Sequence, residues 1–271
     1  MSEFDIAWAA IVARGLSAAC FVGGVIWLME RTSPFIGGIV LALPIVTAPA
    51  YLFLVLLHPP GFVADAALAS IATIGAVLLF LVTVIALVRH LSMPLTLLCA
   101  LTVWSLTGLL VRAVPPGVLS SLAILGAAGL VAWLSGRRVP LTAPAARGRS
   151  PLYEIVLRGA AAGLLVIGVT VLAETMGPRV AGIFSSFPVA LLTVCWFMPR
   201  RLDHTGIRAA LRATQIGMVS HLPFFLCLVL LGPRTGGSRP GDFTAFGVGI
   251  LGSLAVALAL ALIRRYQLRK G

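Results

Sequence analysis

Apolar residues run along this chain in continuous blocks of about 20, separated by short polar connections. A block of this length is what an α-helix needs to cross about 30 Å of hydrocarbon. Strands of a membrane barrel alternate apolar and polar residues, and these blocks do not. The pattern therefore predicts an all-α, polytopic helical membrane protein with about nine transmembrane helices. The predicted spans are 8–28, 36–57, 66–88, 92–112, 116–134, 153–173, 180–199, 208–231 and 243–263.

The second half of the chain repeats the first half at an offset of 144 residues. Arg14 aligns with Arg158, and the segment Glu30 to Pro44 aligns with Glu174 to Pro188 without a gap. Twelve of the 31 positions from 14 to 44 are identical, and they include Arg, Glu and Pro, which apolar composition alone would not align. We therefore expect an internal duplication. Its parts are a first repeat of about five helices at 1–134, a cytoplasmic linker at 135–152, and a second repeat of about four helices at 153–271.

The basic residues predict the orientation of the chain in the membrane. With nine spans and a cytoplasmic C-terminus, thirteen Lys or Arg residues fall on the cytoplasmic side and four on the outer side. This bias is typical of bacterial inner-membrane proteins, and it places the N-terminus outside. Five spans precede the second repeat, so its copy enters the membrane from the opposite side. This predicts inverted-topology repeats, the plan of many secondary transporters.

Composition narrows the class of partner. The chain is 60% hydrophobic and only 10% charged, with a formal net charge of +12. Because the basic residues lie mostly in short loops, we expect them to meet lipid headgroups rather than nucleic acid. The four Cys residues lie inside apolar segments without C-x-x-C spacing, so no disulfide, metal or other cofactor is expected. A homodimer is left open.

Short motifs in the second repeat resemble a known family. They are Ala181-Gly182-Ile183, Phe187-Pro188, Gly206-Ile207, the run Ala210 to Thr214, Gly217-Met218, Ser220 and Pro223-Phe224. Residues 155–231 thereby resemble the GlpM family of small bacterial inner-membrane proteins, and residues 14–88 resemble it more weakly through the repeat. Family members are shorter, so the chain looks like a duplicated, fused member. The resemblance implies a membrane fold and an association with glycerol metabolism or polysaccharide production, without an established activity. His221 departs from the pattern, because an apolar residue is expected there.

Two charged pairs recur at equivalent positions in the two repeats. Glu30 and Glu174 each end a predicted span, where a carboxylate is costly unless it is paired, hydrated or protonated. We interpret them as a site for a coupling proton or as gates on opposite faces. The alternative is a pair of helix-end carboxylates inherited by duplication. Arg14 and Arg158 are candidate counter-charges or anion ligands, unless they reach the membrane surface by snorkelling.

Pro44 and Pro188 lie in the middle of the second predicted span of each repeat. Proline removes a backbone donor and clashes with the preceding turn, so both helices should break or kink there. Exposed backbone at membrane depth requires surrounding protein or a water-filled cavity. With the hydroxyls of Thr47, Ser185 and Ser186 nearby, this crossing is the predicted solute site. A kink that only shapes packing is the alternative.

The eighth span carries further polar residues. Arg212 and Gln215 are three residues apart and share a helix face, and His221 has an imidazole, which exchanges protons near neutral pH. We assign these three to coupling or gating, although a histidine in a helix bundle is more often a hydrogen-bonded structural residue.

The sequence carries no motif of an enzyme: no H-E-x-x-H, G-x-S-x-G or P-loop is present. The favoured interpretation is a secondary transporter that moves a small polar or anionic solute by alternating access. A non-transporting accessory protein for envelope polysaccharide or lipid assembly, and a passive channel, are the alternatives.

Overall fold

A computed structural model describes residues 3–31, 44–139, 141, 151–232 and 239–270, except for some side chains near helix ends. Within these ranges the chain is helical and contains no strand. The helices are α1 Glu3–Arg31, α2 Thr47–Leu57, α3 Pro60–Leu87, α4 Met93–Ala113, α5 Val118–Gly136, α6 Leu152–Ser185, α7 Val189–Phe197, α8 His204–Gly217, α9 His221–Leu230 and α10 Arg239–Lys270. Short 3₁₀ turns at Met198–Arg200 and Met218–Ser220 follow α7 and α8.

Helix α3 lies at the centre of the bundle. Within its apolar segment 78% of the residues are buried, against 17% to 39% in the other long apolar segments. It packs against α4, α5, α6 and α9. One core cluster surrounds Tyr51 and Phe224, and a second surrounds Phe80 and Trp104. Because α3 contributes to both clusters, side chains near α3 contact several helices of the fold.

Gly177 divides α6 into two helical parts. A straight helix of the 34 residues in α6 would be about 51 Å long at 1.5 Å per residue, much longer than about 30 Å of hydrocarbon. Gly177 has φ 80° and ψ −177°, a conformation that glycine adopts readily and other residues rarely do. Pro178 then starts the second part, where its missing N–H costs no helical hydrogen bond.

Seven segments of the described chain are long and apolar enough to cross a membrane. The predicted spans 153–173 and 180–199 both fall within one of these, Leu152–Arg200. The predicted span 36–57 is described only from Pro44 onward, where α2 is a shorter apolar helix. Nine spans therefore stay a prediction. Most of the predicted linker 135–152 lies outside the described residues.

Helices α1 and α6 run antiparallel and cross at small residues. A Cβ atom built on Gly15 would lie 2.5 Å from Cγ1 of Ile167 and 3.0 Å from the carbonyl oxygen of Gly163. One built on Gly159 would lie 2.7 Å from the carbonyl oxygen of Ala19 and 3.5 Å from the Cα of Gly23. Gly15 meets Gly163 and Ile167, and at the offset of 144 residues these two positions are equivalent to Ala19 and Gly23, which Gly159 meets. Each contact therefore has a counterpart in the other repeat.

Basic side chains tie several helices together at one end of the bundle. The Nε of Arg208 donates to the carbonyl of Ile85 at 3.1 Å, and the guanidinium of Arg212 lies against Gly136. Arg201 reaches Glu154 from the turn after α7. The C-terminal ends of α3 and α5 and the N-terminal ends of α6 and α8 thus meet at the same end of the bundle.

Candidate functional site

The second part of α6, which follows Gly177, is interrupted at Pro188. It ends at Ser185, α7 begins at Val189, and Ser186 to Pro188 lie between them without helical structure. The Ser186 N–H turns back to the carbonyl of Ile183 at 3.3 Å instead of that of Gly182. The carbonyl of Gly182 is therefore released from the helical ladder and must find another donor.

Buried hydroxyl groups supply those donors, and we call Tyr51, Ser70 and Ser185 the hydroxyl network. The Oγ atoms of Ser70 and Ser185 each lie 2.8 Å from the carbonyl oxygen of Gly182, as donors. The two Oγ atoms are 3.0 Å apart, and the Tyr51 hydroxyl lies 2.7 Å from the Ser70 Oγ. All three side chains are almost completely buried. The network joins α2, α3 and α6 at the interruption.

The first repeat reaches the same place through Thr47. Pro44 lies just before α2, and the Ala48 N–H donates to its carbonyl at 2.7 Å. Thr47, the first residue of α2, donates through Oγ1 to the carbonyl of Ser185 at 3.4 Å. Residues 32–43 lie outside the described part of the chain. Thr47 and Ser185, two predicted site residues, therefore meet although they are 138 positions apart.

Predicted site residues on α8, on α9 and at the helix interruption carry buried polar atoms that meet no protein partner among the described residues. They are the Ser186 Oγ, both amide atoms of Gln215 and the Nδ1 of His221. Buried polar groups in proteins nearly always have a partner. Gln215 lies on the buried face of α8, one and two turns beyond Leu211 and Ile207. In the hydroxyl network, Ser70 and Ser185 donate to the Gly182 carbonyl and Tyr51 bonds to Ser70, so among the predicted site residues near α6 to α9 it is Ser186, Gln215 and His221 that offer polar atoms without a partner in the described part of the chain.

Arg158 pairs with a carboxylate that the sequence analysis did not single out. Its Nη2 lies 3.6 Å from the Oε2 of Glu154, and the Nη2 of Arg201 lies 2.8 Å from the same oxygen. The Glu154 side chain is only 2% exposed. This cluster fixes the start of α6 to the turn after α7, and it is separate from the hydroxyl network. Glu154 has no acidic counterpart in the first repeat, since Ala10 occupies that position. The repeat therefore could not reveal it.

The other predicted charges lie away from the interruption. Arg14 is half-buried on α1 and Glu174 is exposed on α6. Glu30 lies in the last turn of α1, and its side chain is outside the described residues. Arg212 packs against Gly136 at the end of the bundle. The structure thus brings Thr47, Ser185, Ser186 and Pro188 together, and it places Arg158 and Arg212 elsewhere.

His58 is the titratable group that lies near Arg14 and Glu174. Its ring stacks on Phe62 with centroids 4.0 Å apart, at the end of α2. Burial lowers the pKa of His58 below its ordinary value, while Glu174 raises it and Arg14 lowers it further. His58 is not apparent from the sequence, because its charged neighbours come from α1 and α6.

Comparison with protein-family models, with curated proteins and with solved structures finds no match to this chain. What the protein does must therefore be inferred from its own residues.

Proposed function

We propose that this chain is a secondary transporter, which moves a small polar or anionic solute across the bacterial inner membrane by alternating access. The observation that carries the proposal is the interrupted helix at Ser186–Pro188, with buried polar atoms of Ser186 and Gln215 that meet no protein partner among the described residues. Irregular backbone at membrane depth is tolerated only inside protein or beside a water-filled cavity. Transporters use such interruptions to bind solutes.

The reciprocal contacts of Gly15 and Gly159 support the inverted-repeat part of the proposal. Antiparallel helices whose contacts map onto each other at the repeat offset are what a two-fold axis in the membrane plane produces. We propose nine spans with the N-terminus outside and the C-terminus in the cytoplasm. We also propose that the chain is a fused, duplicated relative of the GlpM family, which its second-repeat motifs resemble.

In this mechanism the solute binds beside Ser186, next to the meeting point of α2 and α6, and Gln215 of α8 is a second candidate ligand. One repeat rocks against the other, with the α1–α6 crossing as the close contact between them. Glu30 and Glu174 carry the coupling proton or gate the two faces, and Arg14 balances their charge. His221 exchanges protons with the site.

Charge movement in proteoliposomes on a solid-supported membrane tests the proposal. A panel of small anions, polyols and zwitterions is applied at two pH values. We expect one solute class to give a pH-dependent current that is lost in the double variant Glu30→Gln/Glu174→Gln. Ser186→Ala and Gln215→Leu should each raise the KM for that solute about tenfold, as expected for one lost buried hydrogen bond. Ser105→Ala, an exposed hydroxyl on α4, is the matched control and should leave KM unchanged.

Other outcomes contradict the proposal in distinguishable ways. Flux that never exceeds equilibrium and does not depend on Glu30 and Glu174 indicates a passive channel. Folded protein that moves no solute, in current and in isotope uptake, indicates an accessory protein, for which a partner retained in mild detergent is the next measurement.

A further inference from the structure

A cleft at the end of the bundle opposite Arg201 and Arg208 holds two opposite charges. Its volume is about 110 Å³, room for several water molecules or one small solute. Asp65 lines it from α3 and Arg179 from the start of the second part of α6. Ser120 and Ser121 of α5 are the other polar side chains in its wall, and the rest of the lining is apolar.

Arg179 is held in place by backbone carbonyl groups. Its Nη2 donates to the carbonyl oxygens of Val111 and Val114, where α4 ends. Carbonyls at a helix C-terminus lack intrahelical partners, so this contact stabilises the end of α4 and orients the guanidinium. A guanidinium has five N–H groups in a rigid fork. The three on Nε and Nη1 meet no acceptor among the residues that the structure describes, so they can serve a ligand.

Asp65 lies in the same cleft and does not pair with Arg179. The two ion pairs in the described part of the chain both involve Glu154. The carboxylate of Asp65 and the guanidinium of Arg179 are therefore farther apart than the distance of an ion pair. Asp65 is exposed on the second turn of α3. The Ser120 Oγ donates to the carbonyl oxygens of Pro115 and Gly117, at 2.9 and 3.0 Å, and is not free to bind a ligand. Besides the Ser121 hydroxyl, the recognition chemistry of the cleft is therefore one fixed cation and one carboxylate.

We infer that this cleft binds a small zwitterion, a molecule of the size and chemistry of a small α-amino acid. Its carboxylate accepts hydrogen bonds from the free N–H groups of Arg179, and its ammonium group donates to Asp65. A simple anion would be repelled by Asp65 and a simple cation by Arg179, whereas a zwitterion satisfies both groups. This inference concerns binding alone and does not depend on the proposed transport.

Calorimetric titration of the full-length protein in detergent tests it. L-alanine is the probe, and propionate and ethylamine are its two halves. We expect L-alanine to bind about ten- to a hundredfold more tightly than either half, because each half lacks one charge-assisted contact. Equal affinity of propionate and L-alanine, tighter binding of ethylamine, or no binding of L-alanine to folded protein each overturns the inference.

Two variants test the contacts of Asp65 and Arg179 separately, and both are read from ligand affinities instead of protein stability. Asp65→Asn should remove the preference for L-alanine over propionate while the propionate affinity holds or rises, so propionate serves as an internal check of folding. Arg179→Lys keeps the charge but loses the rigid fork, and should weaken L-alanine and propionate together about tenfold. Arg112→Gln changes an exposed arginine at the same end, outside the cleft lining, and should leave all three affinities unchanged. An unaltered preference for L-alanine in Asp65→Asn contradicts the assigned role of Asp65.

Discussion

A missing side chain at Gly182 allows α3 and α6 to approach each other at the helix interruption. A Cβ atom on Gly182 would collide with the carbonyl oxygen and Cα of Ala66, and backbone cannot rotate away as a side chain can. The same closeness lets Ser70, one turn after Ala66, reach the Gly182 carbonyl. Glycine at this position is therefore required by the contact between the two helices, since its own conformation is helical.

We expect Gly182→Ala to destabilise the protein by about 1–3 kcal/mol, because overpacking at this contact forces the backbones apart. The measurement is unfolding in detergent, monitored by helical circular dichroism. Gly168→Ala is the matched control on the same helix, since the methyl group that it adds would meet no neighbouring side chain or helix within 4 Å. Equal stability of the two variants would show that α3 and α6 are less closely packed than described.

The pKa of His58 leads to a prediction about acid. Because burial lowers that pKa, the folded protein favours neutral His58. The stabilisation is fully present above the ordinary pKa of 6.5 and is lost as the pH falls through the folded-state pKa. We expect the thermal midpoint to fall between pH 7.5 and pH 5.5, and His58→Phe, which keeps the ring stack on Phe62, to reduce that fall. His204→Phe, at an exposed position, is the control, and the same fall in both variants would exclude His58 as the cause.

The sequence most readily identifies residues that act on their own helix without a distant partner. Pro188 interrupts its helix because it lacks an N–H, a property that needs no partner. Ser70 could not be identified in this way, because its acceptor Gly182 lies 112 positions away. Glu154 lies four residues before Arg158, a helical spacing visible in the sequence, but its closer partner Arg201 is 47 positions away. Apolar spans without a clear face do not say which side chains will meet.

At the scale of elements, the crossing of α1 and α6 depends on small residues in both helices. Gly159 and Gly163 meet the carbonyls of Ala19 and Gly15 directly. Close backbone approach of this kind is the usual way in which helices associate in membranes, where lipid is as apolar as the side chains. The sequence predicted that the two copies resemble each other, but it could not show that these helices touch, because alignment carries no information about contact.

We expect Gly159→Ala and Gly163→Ala each to lower stability by about 1–3 kcal/mol, as overpacking does. Gly24→Ala should have almost no effect, because its added Cβ would meet no neighbour within 4 Å among the described residues. Thermal unfolding in one detergent, with all variants side by side, is the measurement. A loss in Gly24→Ala as large as that in Gly159→Ala would attribute the effect to helix flexibility instead of contact.

In the whole molecule, several charged groups lie at one end of the bundle or the other. Arg200, Arg201, Arg208 and Arg212 lie near one end, and Asp65 and Arg179 near the other. The helix ends that meet in the structure are those that the nine-span prediction assigns to the same face. This arrangement fits the proposed topology, whose number of spans and orientation stay predictions.

Cysteine labelling tests the orientation. In a background whose four native cysteines are replaced, we expect an impermeant maleimide to label Arg112→Cys in spheroplasts and Arg138→Cys only after lysis. Both positions are exposed arginines at helix ends, so their reactivity should be comparable in detergent. The reverse pattern would invert the proposed topology, and labelling of both in sealed spheroplasts would mean that the two ends do not lie on opposite faces.

The paired contacts of Gly15 and Gly159 have a consequence for the origin of the chain. Two identical subunits that meet across a two-fold axis make every contact twice, with the roles of the partners exchanged. The crossing of α1 and α6 keeps this exchange within one polypeptide. Under the proposed inverted-repeat arrangement, a half-length ancestor would have assembled as a homodimer of oppositely inserted copies, which gene fusion then joined in one chain. Fusion would also have left each half free to diverge, as at Ser185 in one half where the other has Leu41.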